Sequence, residues 1–297
     1  MSKETERFFR EFQEYIDQFE DLSESEVQEK LDAFMAQYNG NLRAGAPREK
    51  DQWYYLDLAY EAEDEKMARK HAQKALSIDP YCTDAETFLI NLMDITPEEM
   101  KKRYAKLIEK TESHLREEGY FEDDMGSFYG VLETRPYMRI MKEYLDILIL
   151  LGKYPVAVDQ AKKMLELSEN DNVGARHELM ALYAMMGDVE GAEELHKAYP
   201  EESTSMLLPL ILLYYSRDDY TKARRYLKIV DRKNPDFRKM MMGQLTEQYM
   251  EKYIMPDGFM PNTIGEIMDF MDRAEYLVDA SAGAFSWMRS ELKKKKK

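Results

Sequence analysis

Between Tyr144 and Pro235 the apolar positions fall into three similar copies. The first carries Tyr144, Leu145, Leu148, Gly152, Ala157, Ala161 and Met164. The second carries Leu179, Tyr183, Gly187, Ala192, His196 and Tyr199, and the third Leu210, Ile211, Tyr214, Asp218, Ala223, Leu227, Val230 and Pro235. Ala157, Ala192 and Ala223 stand 35 and 31 residues apart, near the period of about 34 that marks helix–turn–helix repeats. Each copy holds two runs with apolar residues three or four apart, which predicts two amphipathic helices. They are broken at Gly152, Gly187 and Asp218. Glycine enters the left-handed region at little cost and so ends helices; aspartate tolerates that region better than most residues. Pro155 falls in the first turn of the following helix, where its missing N–H costs little. The alanines allow close approach of a facing helix, leaving space above them for Tyr183 or Tyr214. Pro209 predicts that its helix starts late, with Ser205 as N-cap, or kinks.

This order of residues, large apolar, Tyr or Leu, Gly, Ala, bulky, Ala, Pro, resembles the tetratricopeptide repeat family. The likeness covers residues 138–235 and is strongest over Ala223, Leu227, Val230 and Pro235. It departs at His196, Tyr199 and Asp218. Glu133–Arg139 also resembles a segment of bacterial tetratricopeptide proteins. The resemblance implies an all-α chain, an α-solenoid of antiparallel helix–turn–helix repeats with helical caps. It further implies a concave groove, lined by the first helix of each repeat, that holds a peptide or partner helix. Carried onto this chain, the lining comprises Arg139, Lys142, Asp146, His177, Met185, Leu208, Leu212 and Tyr215, basic toward one end and apolar toward the other. Arg139 and Lys142 either orient an acidic group there or pair with Glu143 and Asp146 on the surface. The clamp by which some members grip a terminal carboxylate needs Lys and Asn. Lys142 fits it, but Asp146 and Glu178 stand where Asn belongs.

The remaining chain divides by its breaks. Residues 1–48 predict an acidic helical hairpin that caps the array, with Phe8, Phe12, Tyr15, Ile16 and Phe19 on one helix. Ser23 or Ser25 caps a second helix carrying Val27, Leu31, Phe34, Met35 and Tyr38, before loops at Asn39–Asn41 and Gly45–Pro47. Residues 49–118 predict irregular repeat-like pairs: Trp53, Leu56, Tyr60, Ala68, Ala72 and Ala75, then a pair over 83–118 whose second helix opens at Thr96-Pro97-Glu98-Glu99. Residues 119–135 are a Gly- and aromatic-rich linker, its aromatics either docked or used for binding. Residues 136–235 hold the three repeats. Residues 236–292 predict capping helices, at 236–254, 263–279 and 281–292, with a loop at Pro256, Gly258 and Pro261. Residues 293–297 form a basic tail expected to be disordered.

Charge changes the picture of partners. A net charge of −16 over 297 residues disfavours nucleic acid phosphates and favours basic partners. The acidic hairpin lacks the basic face of a DNA-reading helix pair. The apolar runs at 145–151 and 206–215 are too short to span a membrane, the chain opens without a signal-peptide core, and Cys82 is its one cysteine. A cytoplasmic protein is the expectation.

Chemistry is sparse. The four histidines are scattered, His177-Glu178 lacks the second histidine of a zinc-protease motif, and Glu193-x-x-His196 is one half of a di-iron ligand set. The 22 methionines are core filler or an adaptable binding surface. No catalytic, cofactor-binding or metal residue is assigned. The sequence therefore predicts a non-enzymatic scaffold that binds an unidentified protein or peptide. The alternative is a peptide-sensing regulator whose array changes curvature about the 119–135 linker.

Overall fold

The structure, a computed structural model, describes residues 3–19, 23–44, 50–255 and 258–294. Among these residues there are eighteen helices and no strand, and no helix is long and apolar enough to cross a membrane. The chain divides into two compact units, residues 1–147 and 148–297.

The first unit begins with a hairpin, α1 (Lys3–Ile16) and α2 (Glu24–Ala44). Its rings pack on one another: Phe8, Phe12 and Tyr15 each place a ring centroid 5.4–5.5 Å from Phe34. Ser23 caps α2, its amide donating to Glu26 at 2.9 Å, the reciprocal arm of a capping box. The expected break at Asn39–Asn41 does not occur. α2 runs on to Ala44, helical propagation absorbing the roughly 1 kcal/mol cost of a glycine at position 40. The loop expected at 45–47 lies outside the described residues. α3 (Gln52–Glu61) and α4 (Glu65–Ile78) form the next pair, followed by α5 (Thr83–Asn91) and α6 (Pro97–Glu117). Leu56, Ala75, Cys82 and Ala85 make their core, with Trp53, Tyr55, Leu76 and Phe88 against it. Thr96 caps α6 as its sequence predicts, accepting from the Glu99 amide. The 119–135 segment is docked: after the short α7 (Tyr120–Asp123), Phe128 is fully buried and its ring lies 4.9 Å from Phe121. α8 (Arg135–Leu150) follows.

In the second unit the three turns expected from the sequence pattern share one geometry. Gly152, Gly187 and Asp218 take φ of 63°, 73° and 58°. Each is followed by a residue whose amide bonds five residues back: Lys153 to Leu148, Asp188 to Tyr183 and Asp219 to Tyr214, at 2.8–2.9 Å. This is the six-to-one closure of a left-handed helix end. The turns introduce α9 (Tyr154–Leu167), α11 (Val189–Ala198) and α13 (Tyr220–Lys233), which bury Ala157, Ala192 and Ala223 completely. α11 turns Leu195 inward with Ala192, while His196 sits partly exposed with its ring edge against Tyr226. The inner position expected for His196 therefore belongs to its neighbour.

α10 (Ala175–Met186) packs against α9, α11 and α12 (Thr204–Ser216). Residues 204–214 of α12 are all buried, as befits a helix that is apolar all round and enclosed on every side. Its N-cap is Ser203, not Ser205, and Pro209 lies inside it. The expected helix over 236–254 is broken into α14 (Pro235–Met241) and α15 (Glu247–Glu251), because Gly243 turns the backbone to φ 66°. α16 (Ile264–Arg273), α17 (Glu275–Ala280) and α18 (Ala282–Lys293) close the unit. Lys293 ends α18 and Lys294 pairs with Glu291 at 2.5 Å; the rest of the basic tail lies outside the described residues.

Candidate binding cleft

The eight residues expected to line a groove divide between the units. Arg139, Lys142 and Asp146 belong to the first; His177, Met185, Leu208, Leu212 and Tyr215 belong to the second. Lys142 and Asp146, one turn apart on α8, hold each other at 2.5 Å. Leu208 and Leu212 are 0 % and 2 % exposed in α12, which leaves them no surface to offer a partner. Met185 is half-buried. Tyr215, also half-buried, rests against the closing helix α18: its ring lies 5.5 Å from Trp287, and a Cβ on Gly283 would sit 3.2 Å from its hydroxyl.

His177 belongs to a polar cluster on α10. Its Nε2 donates to Glu201 at 2.6 Å, beside Arg176 at 3.0 Å and the Ser203 hydroxyl at 2.8 Å. Burial alone would raise the Glu201 carboxyl, but these three donors outweigh it and pull the pKa down to about 2. Ser, Glu and His here are not a nucleophilic triad. Glu201 lies between the other two, and the Ser203 oxygen already accepts the Met206 amide as an N-cap. Cys82 is enclosed, and burial pushes its thiol up to about 12, so it stays protonated and inert at neutral pH. Among the described residues no group of three or more His, Cys, Asp or Glu side chains is placed to hold a metal ion.

Arg139 leads instead to a cleft inside the first unit, about 260 Å³ in volume. That is below the range for small-molecule pockets, roughly 300–1,000 Å³, and suits a side chain better than a cofactor. α1 brings Glu6 and Arg10; α3 brings Trp53, Leu56, Asp57 and Tyr60; α5 brings Asp84, Thr87 and Asn91; α8 brings Arg139 and Glu143. Four carboxylates face two guanidiniums. On α8, Arg139 sits with Nε 3.0 Å and a terminal nitrogen 2.5 Å from the two oxygens of Asp84, a fork-on-fork contact. Its other terminal nitrogen lies 2.8 Å from Glu6. Burial opposes the Arg139 charge, but Asp84 and Glu6 overcome this and hold its pKa above the ordinary value. The surface pairing with Glu143 is thereby replaced by a deeper one. Arg10 lies with its guanidinium carbon 3.9 Å from the centre of the Trp53 ring, a cation–π contact. Its distance to Glu6 is 4.0 Å. Burial lowers the Arg10 pKa more than the fields of Glu6, Asp84, Asp51 and Asp57 raise it.

The sequence assigns Trp53 and Leu56 to a repeat core and Glu6 and Arg10 to a cap, and none of them to a site. The spacing of Glu6 and Arg10, one helical turn apart on α1, was the available signal, though Arg7 and Glu11 share that spacing; the side chains opposite Glu6 and Arg10 come from distant stretches. No protein-family profile matches the chain, and neither a curated protein nor a solved structure matches it.

Proposed function

We propose that the protein is a non-enzymatic binding scaffold, a tetratricopeptide-like array of antiparallel helix pairs, whose first unit receives a cationic side chain of a protein or peptide partner in the Trp53–Arg139 cleft. The observation that carries this reading is the make-up of the cleft. Asp57, Asp84 and Glu143 outnumber Arg139 beside an aromatic wall of Trp53 and Tyr60, and Trp53 already accepts a guanidinium on its face. Such a recess concentrates negative potential and favours an arginine or lysine over an acid. The three alike turns in the second unit support the repeat architecture. The single buried thiol accords with a reducing cytoplasm, and the net charge of −16 with a basic protein partner rather than nucleic acid.

The test is a charge-graded peptide array titrated onto the full chain, with Asp57→Asn/Glu143→Gln as the comparison. Arginine-bearing peptides should bind, weaken as salt is raised, and lose about tenfold in affinity on the double variant, the effect of roughly 1.4 kcal/mol. Acidic peptides binding equally well, or full affinity in the variant, would reject the cleft as the site. A regulatory reading, in which binding rearranges the chain, draws on a separate observation: the cleft already contains part of α1.

A further inference from the structure

We infer that α1 is a displaceable occupant of this cleft, and that the partner is an amphipathic helix carrying a glutamate and, one turn later, an arginine, which takes the places of Glu6 and Arg10. The inference rests on the cleft being a binding site, and adds what fills it.

The contact has two points. A Glu6 oxygen lies 2.8 Å from Arg139 and 3.9 Å from Arg135, and Arg10 covers Trp53. Residues four apart lie one above the other on a helix, so α1 lays one edge along the cleft. That edge is polar. The aromatic side chains of α1 are directed elsewhere: Phe8, Phe12 and Tyr15 pack on Phe34 of α2, and Phe8 on Tyr38. Because the hairpin closes its apolar surface on itself, withdrawing α1 and α2 together uncovers charge more than core. Glu6 is buried, so its ion pair with Arg139 is screened little and is given up only when a partner's carboxylate takes its place, an exchange of like contacts that a buried apolar face does not offer.

The cleft is also prepared for exchange. Asp84 holds Arg139 through two of its nitrogens independently of Glu6. When Glu6 leaves, the third nitrogen stays aimed at the vacated place, ready for another carboxylate. A receptor kept rigid in this way loses little order on binding. The spacing then selects the partner: a carboxylate for Arg139, a guanidinium for Trp53, and the rise of one helical turn between them. An arginine matches the second point better than a lysine, since its flat guanidinium stacks on the indole. A tethered occupant competes at millimolar effective concentration, so the parent chain must bind such a helix more weakly than a chain whose α1 has lost its two anchors.

The probe is a labelled peptide with the α1 sequence, residues 3–16, stapled through the exposed positions of Phe9 and Gln13 and followed by fluorescence anisotropy. The receptors are the full chain and its Glu6→Ala/Arg10→Ala variant, both verified as folded by circular dichroism. The variant should bind the probe at least about tenfold more tightly than the parent, and a probe carrying Arg10→Gln should lose that gain. Equal affinity for parent and variant, or an unaffected Arg10→Gln probe, overturns the inference. If arginine peptides bind the parent but the α1 probe fails on the variant, the cleft stands as a site and α1 is merely structural. If neither binds, both readings fall.

Discussion

Glu201 illustrates how a single side chain acquires its properties here. Three donors hold its carboxyl near about 2, against an ordinary 4.5. A carboxyl depressed by folding stabilises the folded state above its unfolded pKa, and that contribution is lost as the pH falls through the folded value. The contribution of Glu201 is therefore complete above about pH 4.5 and disappears toward about pH 2. Acid denaturation of Glu201→Gln should show a shallower loss of stability in this window than the parent, because its amide does not titrate. An identical acid limb in the two proteins would show that the contacts of Glu201 with Arg176, His177 and Ser203 are not maintained in solution. The same logic of committed side chains distinguishes Ser203, engaged as donor and as cap, from a nucleophile.

At the scale of elements, helix approach is set by the smallest residues, and Gly191 is the sharpest case. A Cβ placed there would lie 2.7 Å from the Tyr183 ring and 2.8 Å from an Asp188 oxygen. α10 and α11 thus meet with a tyrosine filling the room left by a missing side chain, beside the fully buried Ala192. Gly191→Ala gains helix propensity worth about 1 kcal/mol but forces Tyr183 to move, and overpacking of this kind costs about 1–3 kcal/mol. The clash should win or balance: urea unfolding of Gly191→Ala should report a net loss of about 0–2 kcal/mol, and Ala192→Leu a loss of about 1–3 kcal/mol. An unchanged midpoint for both would mean that α10 and α11 separate more readily than the turn at Gly187 suggests.

For the molecule as a whole, charge is the dominant variable. An excess of 16 negative charges repels itself across distances that salt screens well, the Debye length being about 8 Å at physiological ionic strength. The ion pairs that hold Arg139, Arg176 and Arg273 lie at 2.5–3.2 Å around side chains that are 34 %, 19 % and 24 % exposed, where screening is weaker. Raising sodium chloride from low to physiological concentration should therefore raise the melting temperature, repulsion being relieved faster than the pairs are weakened. A fall would show that the surface pairs carry more stability than the net charge removes.

The sequence by itself determined the three turns, most of the helices and caps such as that at Thr96, though not the cap of α12, which is Ser203 in place of Ser205. These are local quantities, set by a period of 3.6, by a residue able to take positive φ, and by an oxygen near a free amide. Asp218 is informative because it replaces glycine and still closes the same turn. Local rules also show where the sequence reading gave way. Gly40 is spanned, Gly243 breaks a helix that apolar spacing would have continued, and Leu195 takes the place expected for His196, because packing decides which of two adjacent residues turns inward. Leu208 and Leu212 carry the composition of a groove but lie in the core, since enclosure of α12 depends on helices from elsewhere in the chain. The cleft was beyond sequence for the same reason. Glu6, Trp53, Asp84 and Arg139 are widely separated along the chain, and only the packing of α1, α3, α5 and α8 places their charges and rings within a few ångströms, where an electrostatic site begins to exist.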